Sequence, residues 1–537
     1  MERREFLQTA VAAGVAARAP RGPDVSSSVG PAVRPAAAQA FELEEATIAA
    51  LQEGMAAGRW TARGLTAQYL ARIAAVDRAG PTINSVLEIN PDALDIADRL
   101  DQERKARGSR GPLHGIPVLV KDNLDSGDRM ATTAGSLALA GSSAPRDSTV
   151  VERLRKAGAV LLGKTNLSEW ANYRSTNSTS GWTGRGGLTR NPYLLDHNAC
   201  GSSSGSGAAA AASLAAITIG TETDGSVVCP SSINGLVGIK PTVGLVSRAG
   251  IIPISATQDT AGPMCRTVTD AALLLAAIQG ADPRDPATRA IGPHLMTDYT
   301  AALRPDGLKG VRLGVVHKGF GLPANVDPVL AEALAALKHQ GAVIIDPVEI
   351  PHIDKLGDPE TLILDFEFKA GIAAYLASRG PDFPMKTLAD LIAFNNANSA
   401  REMPWFGQEI FERAVKRGPL TDPKYLAAVA TCRRLSRTLG IDAVMTTHRL
   451  DALIGITAGA SWPTDLVNGD RYTGGSSSPA AVAGYPHVTV PAGMVHGLPI
   501  GLSFFGRAWT EAALIRYAFA FEQATHARRA PQFLPAL

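Results

Sequence analysis

From Leu43 to Ala57 apolar residues return at helical spacing, and residues 63–78 and 91–107 repeat the pattern, which predicts three entry helices. The period then changes. Ile116-Pro-Val-Leu-Val120 and Ala159-Val-Leu-Leu162 are apolar runs of strand length, with a helical stretch at 147–157 between them. Further strands are expected at 216–220, 312–316, 342–347, 452–456, 487–490 and 500–505, and helices at 267–279, 327–340 and 422–439. Such alternation argues for an α/β layer structure, with helices covering a large, mostly buried sheet. Gly207 to Ile219 is dominated by alanine and predicts a central helix whose small residues allow close packing. Residues 350–425 break the alternation with a helical section carrying Phe366, Phe368, Tyr375, Phe394, Trp405, Phe406 and Phe411. Two readings of it stand: a cap over a site, or ordinary helical packing.

Composition narrows the function classes. With 45% hydrophobic and 19% charged residues, the 537-residue chain is no disordered protein. Lys plus Arg (52) against Asp plus Glu (50) leaves +2 and no basic tract, which excludes a nucleic-acid footprint and fits a neutral or small substrate. The 53 glycines and 35 prolines follow no period, which excludes collagen-like and solenoid repeats. No run of 18 apolar residues exists, so no stable membrane association is expected. Cys200, Cys229, Cys265 and Cys432 lack metal spacing and are expected as small buried residues without a disulfide. Arg3 and Arg4, Phe6-Leu7 and an alanine-rich stretch resemble a twin-arginine export signal. Residues 1–40 then read as signal and linker, cleaved after Ala38-Gln39-Ala40, and the protein as exported, periplasmic or secreted.

Two motifs match by letters and fail by physics. Gly158-Ala-Val-Leu-Leu-Gly163-Lys164-Thr165 satisfies the phosphate-loop pattern, but Ala-Val-Leu-Leu must stay extended and cannot curl around an anion. Gly201-Ser202-Ser203-Ser204-Gly205 satisfies the nucleophile-elbow pattern and would make Ser203 the nucleophile. The residues before it contain Pro192, Asn191 and Asp196 where an elbow needs a strand.

A second serine loop, Thr221-Glu-Thr-Asp-Gly-Ser226, follows the first beyond the alanine-rich run, so the two loops can meet in space. The turn at Asp224-Gly225 can aim successive backbone N–H groups at one point, as an oxyanion hole requires. For a base, His197 stands in a loop with no evident orienting carboxylate. Lys121 ends an apolar strand, and burial there would lower its pKa toward the neutral, basic form. The residues alone leave a second reading, in which Lys121 reaches solvent.

Gly115-Ile-Pro-Val-Leu-Val-Lys121-Asp-Asn, Gly163-Lys-Thr-Asn-Leu-Ser-Glu-Trp170, Cys200-Gly-Ser-Ser-Ser-Gly-Ser206, Gly220-Thr-Glu-Thr-Asp-Gly-Ser226 and Asn234-Gly-Leu-Val-Gly-Ile-Lys-Pro241 together resemble the amidase signature family, over about residues 43–530. The resemblance implies a large mixed β-sheet covered by helices on both faces, forming one domain over 41–537. It also implies a Ser-Ser-Lys triad. Ser226 matches the nucleophile, Ser202 the bridging serine on a cis peptide bond, and Lys121 the general base. The N–H groups of Thr223, Asp224, Gly225 and Ser226 match the oxyanion hole, and Ser203 a neighbouring hydrogen-bonding, substrate-side residue. No metal or organic cofactor and no obligate protein partner is implied. Many members read Gly-Gly-Ser-Ile-Arg where this chain has Asp224-Gly225-Ser226-Val227-Val228, and the stretch is most similar to that of members acting on peptide amides. Hydrolysis of C-terminal peptide amides is therefore expected. The alternatives are a general aliphatic or aryl acylamidase, a glutaminase subunit of an amidotransferase, and a binding protein that keeps the fold without chemistry.

Overall fold

The computed structural model describes residues 41–537, so the export signal expected over 1–40 lies outside the described residues. The first strands in chain order are β1 (Val86–Ile89), β2 (Pro117–Lys121), β3 (Val160–Thr165), β4 (Trp182–Thr183), β5 (Gly187–Leu188), β6 (Ile217–Glu222), β7 (Val237–Lys240) and β8 (Thr260–Cys265). They are followed by β9 (Arg312–Val316), β10 (Val343–Val348), β11 (Ala452–Ile456), β12 (His487–Val495) and β13 (Leu498–Phe505). Among the described residues β4 and β5 pair alone, and the others form an 11-stranded sheet ordered β1-β3-β2-β6-β8-β7-β12-β13-β11-β9-β10. Runs β3-β2-β6 and β11-β9-β10 are parallel and the remaining pairs antiparallel, so the sheet is mixed, as expected. Every residue of β2, β3, β6, β8, β11 and β13 is buried. Alternate residues of a strand face opposite sides, so both faces of the sheet are covered.

Three strands of the large sheet escape the sequence pattern, as do the two-residue β4 and β5. β8 reads Thr-Ala-Gly-Pro-Met-Cys, and proline and glycine ordinarily argue against a central strand. A neighbouring strand explains the glycine: a Cβ at Gly262 would stand 1.9 Å from the Ile239 carbonyl oxygen. β1 and β7 are only four residues each, too short to show a period.

The central helix is shorter than expected and starts earlier, covering Ser204–Ala211. It ends because Ser213 takes a left-handed φ of 55°, with Ser213 N–H donating to Ala210 O and Leu214 N–H to Ala209 O. That pair of bonds is a Schellman stop, and it turns the chain directly into β6. All eight helix residues are buried. A Cβ at Gly205 would lie 2.3 Å from Ser85 O and 2.4 Å from Asn166 O. The small residues therefore set how closely the helix approaches its neighbours.

The 350–425 section contains helices Gly357–Ser378, Leu388–Ala397, Ser399–Glu402 and Glu409–Ala414. Phe368, Tyr375 and Phe411 join a buried cluster with Trp170, Tyr173, Ile252 and Ile254. The Phe368 ring stands 5.1 Å from Tyr173 and 5.2 Å from Phe411. Its aromatics therefore anchor the section to the body.

Gly205→Ala is expected to destabilise the protein by about 1–3 kcal/mol, because the obstructing atoms are backbone carbonyls that cannot rotate away. A urea unfolding midpoint equal to that of the parent would contradict this account.

Candidate active site

β2 carries Lys121 between β3 and β6, and burial of the whole strand leaves the side chain no route to water. The reading in which Lys121 reaches solvent is therefore excluded. Its Nζ lies 2.7 Å from Ser202 Oγ, 2.9 Å from Thr221 Oγ1 and 3.2 Å from Thr221 O. Asn123 Nδ2 also donates to Thr221 Oγ1, at 2.9 Å. Burial pulls the Lys121 pKa down from 10.5 to about 7, against the opposing charges of Asp259 and Glu222. The contacts hold the nitrogen in place between the two loops. The Thr221 carbonyl can only accept and so takes one N–H, while the Thr221 and Ser202 hydroxyls can each either accept from Nζ or donate to it, so a neutral amine can turn its lone pair to Ser202 without losing a contact.

Ser202 follows the cis peptide bond Gly201–Ser202 in the turn that leads into helix Ser204–Ala211. Ser226 lies in the loop between β6 and helix Val228–Ile233, after Gly225 at φ 80°. Ser203 joins the two loops. Its N–H donates to Ser226 O at 3.3 Å, its Oγ donates to Thr221 O at 3.0 Å and accepts from Thr221 N–H at 3.2 Å. A hydroxyl occupied in this way is a poor nucleophile, and no strand precedes it, so the elbow reading fails on both counts. Among the described residues the Ser226 hydroxyl makes no hydrogen bond, and the residue is 9% exposed. Among the described residues the N–H groups of Thr223, Asp224, Gly225 and Ser226 also donate none. Glu222 takes the next two, accepting from Val227 N–H at 2.8 Å and Val228 N–H at 3.0 Å. Four successive donors are thus left beside a free hydroxyl.

Two cavities flank this loop. One of about 370 Å³ is lined by Asn123 and Thr221–Thr223 at one end, by Ile251, Ile252, Pro253 and Ile254, and by Ala370, Gly371 and Ala374 of helix Gly357–Ser378. Its apolar wall is aliphatic, and the aromatics of the 350–425 section pack elsewhere. The other, about 320 Å³, is polar and touches Gly201, Asp224, Gly225, Ser180 and Asp470.

Two sequence expectations need correction. Cys200 and Cys229 form a disulfide, with Cα atoms 6.2 Å apart. The two serine loops bring them together across 29 residues, a proximity that spacing alone does not reveal. Cys265 and Cys432 are free and buried, as expected. His197 does have a carboxylate, Asp196 Oδ1 at 2.6 Å from Nδ1, but no hydrogen bond of His197 reaches a serine of either loop. The phosphate-loop look-alike is strand β3, with Lys164 buried and donating to Thr132 Oγ1 at 2.9 Å. Thr221, Asn123 and Asp259 do not stand out in the sequence. Asn123 carries a signal, two positions after Lys121 in the same motif; Asp259 arrives from the turn that leads into β8 and carries none. Among the described residues no group of His, Cys, Asp or Glu could hold a metal ion, and no helix is long and apolar enough to cross a membrane.

The profile of the Amidase family matches residues 64–515. The chain belongs to the amidase signature family. The peptide amidase of Stenotrophomonas maltophilia is 52% identical, with a TM-score of 0.88 over 92% of this chain and 99% of that one. An Arabidopsis thaliana protein named "Probable amidase" is 42% identical over 94% of this chain and 95% of its own length. One of the glutamyl-tRNA(Gln) amidotransferase subunits of Chloroflexus aurantiacus is 36% identical over 90% and 97%. This amidase is thus a hydrolase of amide C–N bonds.

The disulfide of this amidase closes a long loop around both serine segments. Reducing it, or replacing Cys229 by Ala, is expected to lower stability by about 2–4 kcal/mol. An unchanged unfolding midpoint in the presence of a reductant that titrates both thiols would contradict this.

Proposed function

We propose that this amidase hydrolyses the C-terminal carboxamide of peptides to the free acid and ammonia, through an acyl-enzyme on Ser226. The observation that carries the reading is the buried Lys121 Nζ at 2.7 Å from Ser202 Oγ, one residue before Ser203, whose N–H meets the Ser226 carbonyl. Ser202 passes the Ser226 proton to Lys121 as Ser226 Oγ bonds to the carboxamide carbon. The carbonyl oxygen takes the negative charge and meets the free N–H groups of residues 223–226. Protonated Lys121 returns the proton through Ser202 to the nitrogen, the C–N bond breaks and ammonia leaves. Water then cleaves the ester by the same relay.

The aliphatic cavity beside Thr221–Thr223 supports a peptidyl acyl group with an apolar side chain, and the likeness to a peptide amidase points the same way. The second reading, a glutaminase subunit, rests on the 36% identity to one component of an amidotransferase. The Cys200–Cys229 disulfide favours the first, because cytoplasmic thiols are kept reduced and a disulfide suits an enzyme acting outside that compartment.

Ammonia release from a dipeptide amide, a short aliphatic amide, an anilide and glutamine at equal concentration tests the substrate. The dipeptide amide should be fastest; glutamine ahead would replace this reading by the amidotransferase one, and the aliphatic amide or anilide ahead by a general acylamidase.

Because Lys121 accepts a proton only when neutral, kcat/KM should rise with pH through about 7. Lys121→Ala should lose about 10²–10⁴ of the activity at neutral pH, and Ser226→Ala should lose it entirely together with phosphonate labelling. A Lys121→Ala enzyme with the parent's rate and pH profile would refute the relay.

A further inference from the structure

We propose that Asp259 is a positioning residue that aims the oxyanion loop, acting through Thr223 and tying that loop to the wall of the aliphatic cavity; the inference rests on the Ser226 reading above. Asp259 closes the turn that leads into β8, its N–H donating to Ser255 O at 3.0 Å, and it lines the cavity of about 370 Å³. Its Oδ1 accepts from Thr223 Oγ1 at 2.6 Å. Its Oδ2 accepts from Ile254 N–H and Ser255 N–H, each at 2.8 Å. One carboxyl group thus joins the first residue of the loop to two residues of the cavity wall.

Gln258, the residue before it, holds the main chain of Thr223: its Nε2 donates to Thr223 O at 3.3 Å. A peptide unit is planar and trans, so holding the Thr223 carbonyl also fixes the Asp224 N–H, which points the opposite way. The N–H groups of Thr223 and Asp224 are the first two of the four unpaired donors. The sheet does not hold them, because the pairing of β6 with β8 ends at Glu222 and Thr260, one residue before Thr223. Side chains have to do it instead. The turn that supplies them is itself fastened, with Ser255 Oγ and Thr257 Oγ1 donating to Glu367 Oε2 of helix Gly357–Ser378 at 2.5 and 3.1 Å. A donor moved away from the place where the oxyanion forms costs rate without weakening the binding of the neutral amide. A residue that aims such donors governs kcat more than KM.

The test measures kcat and KM for a dipeptide amide in the full-length enzyme, Thr223→Val, Thr223→Ser, Asp259→Ala and the double variant Thr223→Val with Asp259→Ala. Rates are taken per site, counted by phosphonate labelling run to completion. Thr223→Val keeps its backbone N–H and breaks only the bond to Asp259, so kcat should fall about ten- to a hundredfold with KM within about threefold of the parent. Thr223→Ser keeps the hydroxyl and should recover most of that loss. Asp259→Ala should lose at least as much, and the double variant no more than about twofold beyond it, because both changes remove the same bond. Asp259→Ala also strips Ile254 and Ser255 of their acceptor; if it fails to fold, the Thr223 variants decide. A parent kcat in Thr223→Val, a loss confined to KM, no recovery in Thr223→Ser, or multiplied losses in the double variant overturns the proposal. Turnover that survives Ser226→Ala refutes the proposed function instead, and the role of Asp259 falls with it.

Discussion

Everything in the site depends on keeping one amine dry. Moving a lysine pKa from 10.5 to about 7 corresponds to on the order of 5 kcal/mol of destabilised charge. The sign fixes when the fold bears this cost. Below pH 7 the buried amine is protonated in both folded and unfolded chains and the full penalty applies. Between 7 and 10.5 only the unfolded chain holds the proton, so stability rises with pH. The contacts with Ser202 and Thr221 offset part of the penalty, while Asp259 and Glu222 keep the pKa from falling further. These carboxylates hold the amine near the point where it can both accept and return a proton at neutral pH.

That amine is useful only if two loops far apart in sequence stay in register with it, and the fastenings are independent. Ser203 bonds to the main chains of both Thr221 and Ser226, Cys200 is tied covalently to Cys229, and Glu222 anchors the start of helix Val228–Ile233. None of these groups has to react. Together they hold the N–H groups of residues 223–226 unpaired, which hydrogen bonding within a longer helix would otherwise consume.

Much of this was legible. Strands such as Ala452–Ile456, and β9 after its opening Arg312, announce themselves as apolar runs, since parallel strands buried on both faces need no alternation. β8 did not, because its proline argues against a central strand and its glycine answers to the Ile239 carbonyl of the neighbouring strand, a constraint that is not local. The two serines and the lysine emerged from motif and resemblance, which also implied Ser202 as the bridge; the distances among Lys121, Ser202 and Thr221 emerged from neither. The disulfide was misread because Cys200 and Cys229 meet only once helix Ser204–Ala211 and β6 have folded the chain back. Thr221 was invisible for a related reason: a threonine in a strand is ordinary, and it matters only because β6 lies beside β2.

The alanine-rich helix connects stability to chemistry. It packs against the strands that carry Lys121 and Thr221, and Ser203, whose bonds join the serine loops, stands at its N-cap. Ser206 within it donates to Ile219 O at 2.9 Å, fixing the helix to β6 two residues before Thr221. A larger side chain in its first turn would push the helix outward by the radius of the added atoms. Ser203 would withdraw from Thr221 and water would gain access to the amine. The pKa of Lys121 would then climb back toward 10.5 and the base would be lost without any reacting group having been altered. Small residues at the centre of this sheet are thus a condition of the proton transfer as well as of packing.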